Sequence, residues 1–469
     1  MAIIIPIQGL RYNPAKAAKL DEVVTPPYDV IDAAAQEGLY RRHPYNIIRL
    51  EYGKILPGDD ENNNRYTRAS ADLCTWLKEE VLVSETAPAL YYYEQEFSRA
   101  GERVVRSCCI CGVRLEPYEK GVVLPHEETM PKHKADRLAL MRACTANFSP
   151  VFSLYADQEK RVDRILRQAA GDREPDIHFT DRNGETHRMW VVQDAGAIGK
   201  VQEAMAGRRI FIADGHHRYE TALNYKRERE LSGQSPADRL VSASSSCSTT
   251  PQGDSCCSSG ADPAYNYVMM TLVNLYDPGL VILPTHRLVK NVAGFDRNRL
   301  IEQLKENFSV EEYPLTADRS NLQDFLSVMC KRGKPHPGDR KKNVFGLYTG
   351  DNKLYLLSLI DERDLAGIMP QDKPPSWQRL DVAVLHTLII EKYLGICGKL
   401  RARAEHITYT QEEEGALAAV DRGEYQLVFF LNPTLVEEVT EVAAQGEKMP
   451  QKSTFFYPKF ITGLVINPL

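Results

Sequence analysis

The chain has 469 residues, 43% of them apolar and 26% charged, and a formal net charge of −6. A chain of this length buries a large core and divides into two or three compact units. Its mild acidity excludes the basic surface on which non-specific nucleic-acid or membrane binding depends, and no apolar run approaches the ~20 residues of a membrane-spanning helix. Met1-Ala2-Ile3-Ile4-Ile5-Pro6 is too short for a signal peptide. With ten cysteines and no secretion signal, the thiols are expected to be reduced and the protein soluble and cytoplasmic.

Taken in chain order, the first 55 or so residues read as short strands and turns: Ile3 to Gly9, Val23 to Val30, and Asn46 to Glu51. This places the carboxylates of Asp29 and Glu51 at strand ends. A helix is predicted over Arg65 to Glu80, from Ala69, Leu73, Trp76 and Leu77 at helical spacing. A strand pair follows, Ala89 to Phe97 and Val104 to Arg114, joined by a turn through Gly101. Cys108, Cys109 and Cys111 fall in the second strand, where neighbouring side chains face opposite sides. Zinc spacing is missing there, so they read as buried thiols.

His126-Glu127-Glu128-Thr129-Met130-Pro131-Lys132-His133-Lys134-Ala135-Asp136-Arg137 crowds acids and bases into a dozen residues. Asp136 is placed to cap a helix beginning near Arg137, and Lys132, Lys134 and Arg137 offer a basic wall for a polyanion. Lys160 to Ala170 reads as a helix and Thr186 to Gln193 as a strand. Ile210 to Ala213 then ends a buried strand at Asp214-Gly215, and an amphipathic helix opens on His216-His217-Arg218. Cations at a helix start, where N–H groups and the dipole face outward, make an anion site, for phosphate above all.

Residues 241–263 carry serine, cysteine, Gly and Pro with few large apolar side chains and read as a flexible insertion. Beyond it, strands are expected at Tyr267 to Leu275 and Gly279 to Pro284, with Thr285-His286-Arg287 at a strand end. Helices follow at Arg299 to Asn307 and Ser320 to Lys331, then a hairpin across Gly350-Asp351, an apolar helix from Leu380 to Leu394 with His386 in its core, and a strand ending at Leu431. Met449 to Lys459 joins Lys452, Ser453, Thr454, three aromatics and Lys459 in an edge strand or an anion clamp. Lys-Ser-Thr there lacks the glycines of a Walker site. Without βαβ periodicity, the fold class is α+β.

Asp214-Gly215-His216-His217-Arg218 resembles the Gly-x-His-Arg box of the ParB/sulfiredoxin superfamily. With Pro26-Pro27-Tyr28-Asp29-Val30, Asn46 to Glu51, His126 to Arg137, Leu283 to Arg287 and Met449 to Lys459, the chain resembles the bacterial domain-of-unknown-function family 1015 over almost its whole length. The resemblance implies a ParB/sulfiredoxin-like phosphate-binding core over residues 1–240, the insertion at 241–263, and an α+β region over 264–469 that completes the site. It also implies a kinase that phosphorylates the hydroxyl of free L-serine, with pyrophosphate, or else ADP or ATP, as donor. Sulfiredoxin's cysteine is replaced here by histidine, and the acidic chain offers no basic helix pair for DNA. A ParB-like nucleotide-dependent DNA-binding module is the alternative.

In the kinase reading Gly215, His217, Arg218, Lys132, Lys134, Arg137, Lys452 and Lys459 hold phosphate, with His216 beside the reacting centre. Asp214 or Glu51 takes the serine proton, and either binds Mg2+, the expected cofactor. Ser453, Thr454, His126, Asp29 and Arg287 are expected to bind substrate. The partners are thus L-serine and pyrophosphate or a nucleotide, with neither nucleic acid nor membrane expected. A homo-oligomer is allowed but not fixed by the sequence.

Overall fold

The structure is a computed structural model. It describes the chain except Ala100, Glu128, Met130 and residues 233–261, 335–340, 362–364 and 399–404, and of Pro131, Lys132, His133 and Ala366 the backbone alone. The insertion expected at 241–263 therefore lies almost wholly outside the described residues.

The architecture is mixed α+β in two compact units. The first comprises residues 1–125, 129–280 and 458–469, and the second 126–128 and 281–457. The division differs from the expected one at 240 and 264: residues 264–280 and 458–469 belong with the first unit. The reason is strand pairing, which depends on partners distant in sequence.

The first unit is built on a nine-stranded mixed sheet. Its strands are β1 (Ile4–Ile5), β2 (Leu90–Arg99), β3 (Glu102–Arg114), β4 (Val123–Leu124), β5 (Val151–Tyr155), β6 (Ile177–Thr180), β7 (Thr186–Val192), β8 (Ile210–Asp214) and β9 (Tyr267–Asn274). The order is β4-β8-β5-β9-β3-β2-β7-β6, with β1 pairing β3. The β4–β8 and β5–β9 pairs are parallel, the others antiparallel. Strands β5 and β9 are buried at every residue and are apolar on both faces apart from Ser153, Thr271 and Asn274, as suits central strands. Cys108, Cys109 and Cys111 are buried in β3, as their alternating placement implied.

Helices α1 (Ile48–Glu51), α2 (Arg65–Lys78), α3 (Pro131–Cys144), α4 (Arg161–Ala170), α5 (Ala195–Ala206) and α6 (His216–Ser232) belong to this unit. Two differ from expectation. Ile48 to Glu51 is helical, with Asn46 Oδ1 accepting from the Ile48 N–H at 3.0 Å ahead of it, and a short apolar run does not by itself distinguish strand from helix. Helix α3 starts at Pro131, which suits a first-turn position, so Asp136 lies inside the helix and does not cap it. Along α4, Val162, Leu166 and Ala170 recur every four residues and are buried. They join Ile210, Ile212, Tyr219, Ala222 and Met270 in one apolar cluster.

The second unit holds a six-stranded antiparallel sheet and a strand pair. The pair is β10 (Val281–Leu283) with β17 (Phe455–Tyr457). The sheet consists of β11 (His286–Val289), β12 (Phe308–Pro314), β13 (Val344–Tyr348), β14 (Lys353–Leu359), β15 (Ile407–Thr410) and β16 (Leu427–Leu431), in the order β12-β14-β13-β16-β11-β15. Phe325, Val344, Leu356, Leu417, Val428 and Phe430 form its core. Among the described residues no helix is long and apolar enough to cross a membrane.

Ile212 is fully buried in the strand that leads to Asp214. Ile212→Ala is expected to lower unfolding stability by ~2–5 kcal/mol, through lost transfer energy plus a cavity, as read by chemical denaturation.

Candidate functional site

Strand β8 runs buried through Ile210, Phe211, Ile212 and Ala213. Its register against β5 shifts between Ile212 and Asp214, so that Asp214 comes opposite Phe152. An irregularity of this kind re-aims a side chain at the end of a strand. Gly215 follows with φ +92°, a conformation that favours glycine. A Cβ there would stand 2.8 Å from Arg218 Nε, so a side chain at this position would push the guanidinium aside. His216 opens the 17-residue α6, whose first turn is closed by the Tyr219 N–H on the Gly215 carbonyl at 3.0 Å.

Asp214 lies between two cations. Arg218 Nη2 is 3.1 Å from its Oδ2, and Lys459 Nζ is 3.5 Å from its Oδ1. Burial pushes the Asp214 carboxyl up, but Lys459, Arg218 and His216 outweigh it and hold the group at about 2. Arg218 also donates from Nη1 to the Pro150 carbonyl at the head of β5, while its buried Nε meets no hydrogen-bond partner among the described residues. Lys459 is placed by its neighbours. The Phe460 ring packs edge-on against Phe152 at 4.7 Å and lies 4.2 Å below the Arg106 guanidinium. Arg106 in turn donates to the Pro458 carbonyl at 2.6 Å.

Asp29 belongs to the same cluster. Although its residue is open to solvent, crowding by protein and the neighbouring Asp214 charge push its carboxyl up, against the pull of Arg218 and Lys459. Next to it the Tyr28 ring carries the Arg137 guanidinium 4.1 Å from its centre.

Glu51 is only 3% exposed, at the end of α1. Its Oε1 accepts from Ser149 Oγ at 2.9 Å and lies 3.2 Å from Arg137 Nη1, which also donates to the Glu51 carbonyl at 2.9 Å. Burial raises the Glu51 carboxyl, with Arg137, Ser149 and Arg218 opposing. Arg137 Nη2 reaches Asp136 at 2.6 Å, and Asp136 further pairs with Arg65 and accepts from Tyr66 at 2.7 Å. A cavity of about 30 Å³ beside Glu51 is lined by Arg137, Ser149, Arg218 and Thr221, room for a water molecule rather than an amino acid.

Of the expected site residues, the first unit brings together Asp29, Glu51, Arg137, Asp214, Gly215, His216, Arg218 and Lys459. His217 follows in the first turn of α6 and is partly exposed. Lys134 is paired with Glu220 at 2.9 Å, and the Lys132 side chain lies outside the described residues. The remaining candidates belong to the second unit. There His126 Nε2 lies 3.0 Å from Thr454 Oγ1, and Ser453 Oγ donates to the Pro450 carbonyl at 2.5 Å. Arg287 is buried inside β11 and donates to the carbonyls of Thr285 and of Lys452, the latter at 2.9 Å. Burial lowers the Arg287 guanidinium to about 10. Sequence reasoning missed Ser149, Tyr28, Asp136 and Arg106 as members of the cluster. Tyr28, within its Pro-Pro-Tyr-Asp turn, and Asp136, within the charged segment ending at Arg137, carried a local hint.

A family model described as "Protein of unknown function (DUF1015)" matches residues 4–383. The chain belongs to the DUF1015 family. No curated protein matches it. Among solved structures, this DUF1015 chain is similar to a free serine kinase in complex with AMP, at 13% identity and TM-score 0.33, over 74% of this chain and 88% of that one. A conserved hypothetical protein from Pyrococcus furiosus is similar at 14% identity and TM-score 0.30, over 73% of this chain and 93% of that one. SbnI with C-terminal truncation from Staphylococcus aureus is similar at 10% identity and TM-score 0.32, over 76% and 87%.

Two outcomes follow from the charges. Because the Asp214 carboxyl titrates below its ordinary 3.8, its contribution to stability is complete above that value and is lost as pH falls towards 2. Asp214→Asn should therefore remove part of the acid limb of a stability–pH profile and leave the slope near neutrality unchanged. Arg137→Met should cost ~3–5 kcal/mol in denaturant unfolding, since it strands the buried Glu51 without its cation.

Proposed function

We propose that this DUF1015 protein phosphorylates the hydroxyl of free L-serine, with pyrophosphate as donor and ADP or ATP as the alternatives. The observation that carries the reading is the pair of cations on Asp214 at the start of α6. Two cations beside the positive end of a 17-residue helix offer positive charge to a phosphate group. The unpartnered Arg218 Nε adds a buried donor. The likeness of this turn to the phosphate-holding box of ParB/sulfiredoxin-like proteins supports the same reading.

Phosphoryl transfer calls mainly for positioning and electrostatics. Lys459 and Arg218, with the N–H groups of Gly215, His216 and His217, bind the donor oxygens. Asp214 and Asp29 fit Mg2+. They are hard oxygen donors crowded closely enough that Asp214 raises Asp29. When bound, that ion neutralises charge on the transferring group.

The two carboxylates expected to compete for the proton differ in basicity. Asp214, held at about 2, stays anionic and is a poor base. Glu51 is raised by burial, and with Oε1 held by Ser149 and Arg137 its Oε2 accepts no hydrogen bond among the described residues. Glu51 is therefore the base, acting directly or through one water in the adjacent cavity. The serine oxygen attacks phosphorus, its proton passes to Glu51 Oε2, and the donor's P–O bond breaks with the electron pair on the leaving phosphate. Arg137 holds Glu51 in place.

Purified protein incubated with L-serine, Mg2+ and each donor in turn should yield O-phospho-L-serine, fastest with pyrophosphate. Glu51→Gln should lower kcat by ~10²–10⁴-fold, and Lys459→Ala should raise the KM for the donor more than it changes the KM for serine. Absence of phosphoserine with all three donors would reject the kinase. Nucleotide binding without turnover, coupled to DNA affinity, would establish the binding module instead.

A further inference from the structure

The hairpin between β6 and β7 gathers three potential metal ligands that the phosphoryl site does not use. One ligand atom each of Asp181, Glu185 and His187 lies within 4.8 Å of the others. The turn itself needs only Asp181 Oδ1, which accepts the N–H groups of Asn183 and Glu185 at 2.9 and 3.0 Å. Asp181 Oδ2, the Glu185 carboxylate and His187 Nε2 are left facing one another.

His187 is the independent observation. It is fully buried, and its Nε2 makes no hydrogen bond among the described residues, with Asp181 Oδ2 standing off at 3.5 Å. Its other nitrogen, Nδ1, lies 2.6 Å from the Tyr93 hydroxyl, and the Phe179 ring stacks on the imidazole at 4.9 Å. A histidine locked at Nδ1 with Nε2 aimed at two carboxylates has the supported geometry of a metal ligand. Glu185 is likewise oriented, its Oε2 accepting from Gln95 Nε2 at 2.7 Å. Asp181 is partly exposed and gives an ion a way in.

We propose that Asp181, Glu185 and His187 bind one divalent transition-metal ion of the zinc class. Imidazole with carboxylate selects such an ion over Mg2+ or Ca2+, which prefer all-oxygen sites, and three protein ligands leave a fourth position for water. Small side-chain rotations bring the ligand atoms to the roughly 3.4 Å spacing of a tetrahedral zinc. The ion also reaches the segment that carries Lys459. Gln95, which holds Glu185, accepts from Arg106 at 2.6 Å, and Arg106 donates to the Pro458 carbonyl. Gln95 Nε2 lies 3.4 Å from the Lys459 carbonyl as well. The metal thus anchors the backbone before Lys459 from its far side.

The test uses the full chain, stripped by chelator, dialysed and titrated with Zn2+ or Co2+ with neither serine nor phosphate donor present. Elemental analysis is expected to find one Zn2+ retained per chain, Co2+ to give a visible spectrum of low coordination number, and X-ray absorption of the zinc form to show one imidazole. His187→Gln and the isosteric Asp181→Asn/Glu185→Gln variant, checked for folding by circular dichroism, should each bind more than tenfold more weakly. Tyr93→Phe should weaken binding by about tenfold, as loss of an outer hydrogen bond does. Zinc not retained at equimolar concentration, a zinc spectrum without imidazole, or unchanged affinity in the folded variants would overturn the proposal. The absorption spectrum of the unaltered protein decides the matter even if the variants do not fold, and absence of kinase activity would leave this result untouched.

Discussion

Asp214 stands charged where strand β8 hands over to α6, held by two cations that the first unit brings in from distant segments. A carboxylate in a crowded position is driven towards its neutral form, and here Arg218, four residues along the helix, and Lys459, almost 250 residues away, reverse the tendency. Each cation is itself fixed by backbone carbonyls or rings: Arg218 on Pro150, and Lys459 through Phe460 and Arg106. Gly215 is where the chain can turn without displacing the guanidinium. Both cations thus stand at the helix start, where the N–H groups and the dipole also favour negative charge.

A second charge system runs beside it. Glu51, Arg137, Asp136 and Arg65 alternate in sign from a buried interior towards the surface of α2. Arg137 donates to the Glu51 carbonyl, pairs with Asp136 and lies over the Tyr28 ring, which ties Glu51 to its neighbours. The two carboxylates that look equivalent in the sequence thereby acquire opposite character, one held acidic and one raised. Such separation is how a site assigns a permanently ionised group and a proton acceptor.

The elements were largely legible in the sequence. The strand pair across Gly101, the hairpin across Gly350-Asp351, the amphipathic α4 and the turn at Asp214-Gly215 follow from periodicity and glycine placement, and each is found. Two local readings failed for local reasons. Ile47 and Ile48 suit a buried strand as well as a buried helix, and the chain is helical from Ile48, with the Asn46 side chain bonded ahead of it. Asp136 looked like a cap, but Pro131 starts the helix earlier and its neighbours claim the carboxylate. Thr285-His286-Arg287, read as a strand end with Arg287 open to substrate, instead leads into an internal strand with the guanidinium bound to carbonyls.

By itself the sequence determined the α+β class, the strand-to-helix turn with its cations, and membership of a family whose model spans residues 4–383. These depend on short-range pattern, which each segment carries within itself. Tertiary structure alone decided that residues 458–469 return to the first unit, that Lys459 reaches Asp214, that Ser149 holds Glu51, and that Asp181 and Glu185 meet the bare nitrogen of His187. Contacts of this kind arise from sheet order and burial, and the energy that selects them is shared among residues far apart in the chain. No local window of sequence contains it.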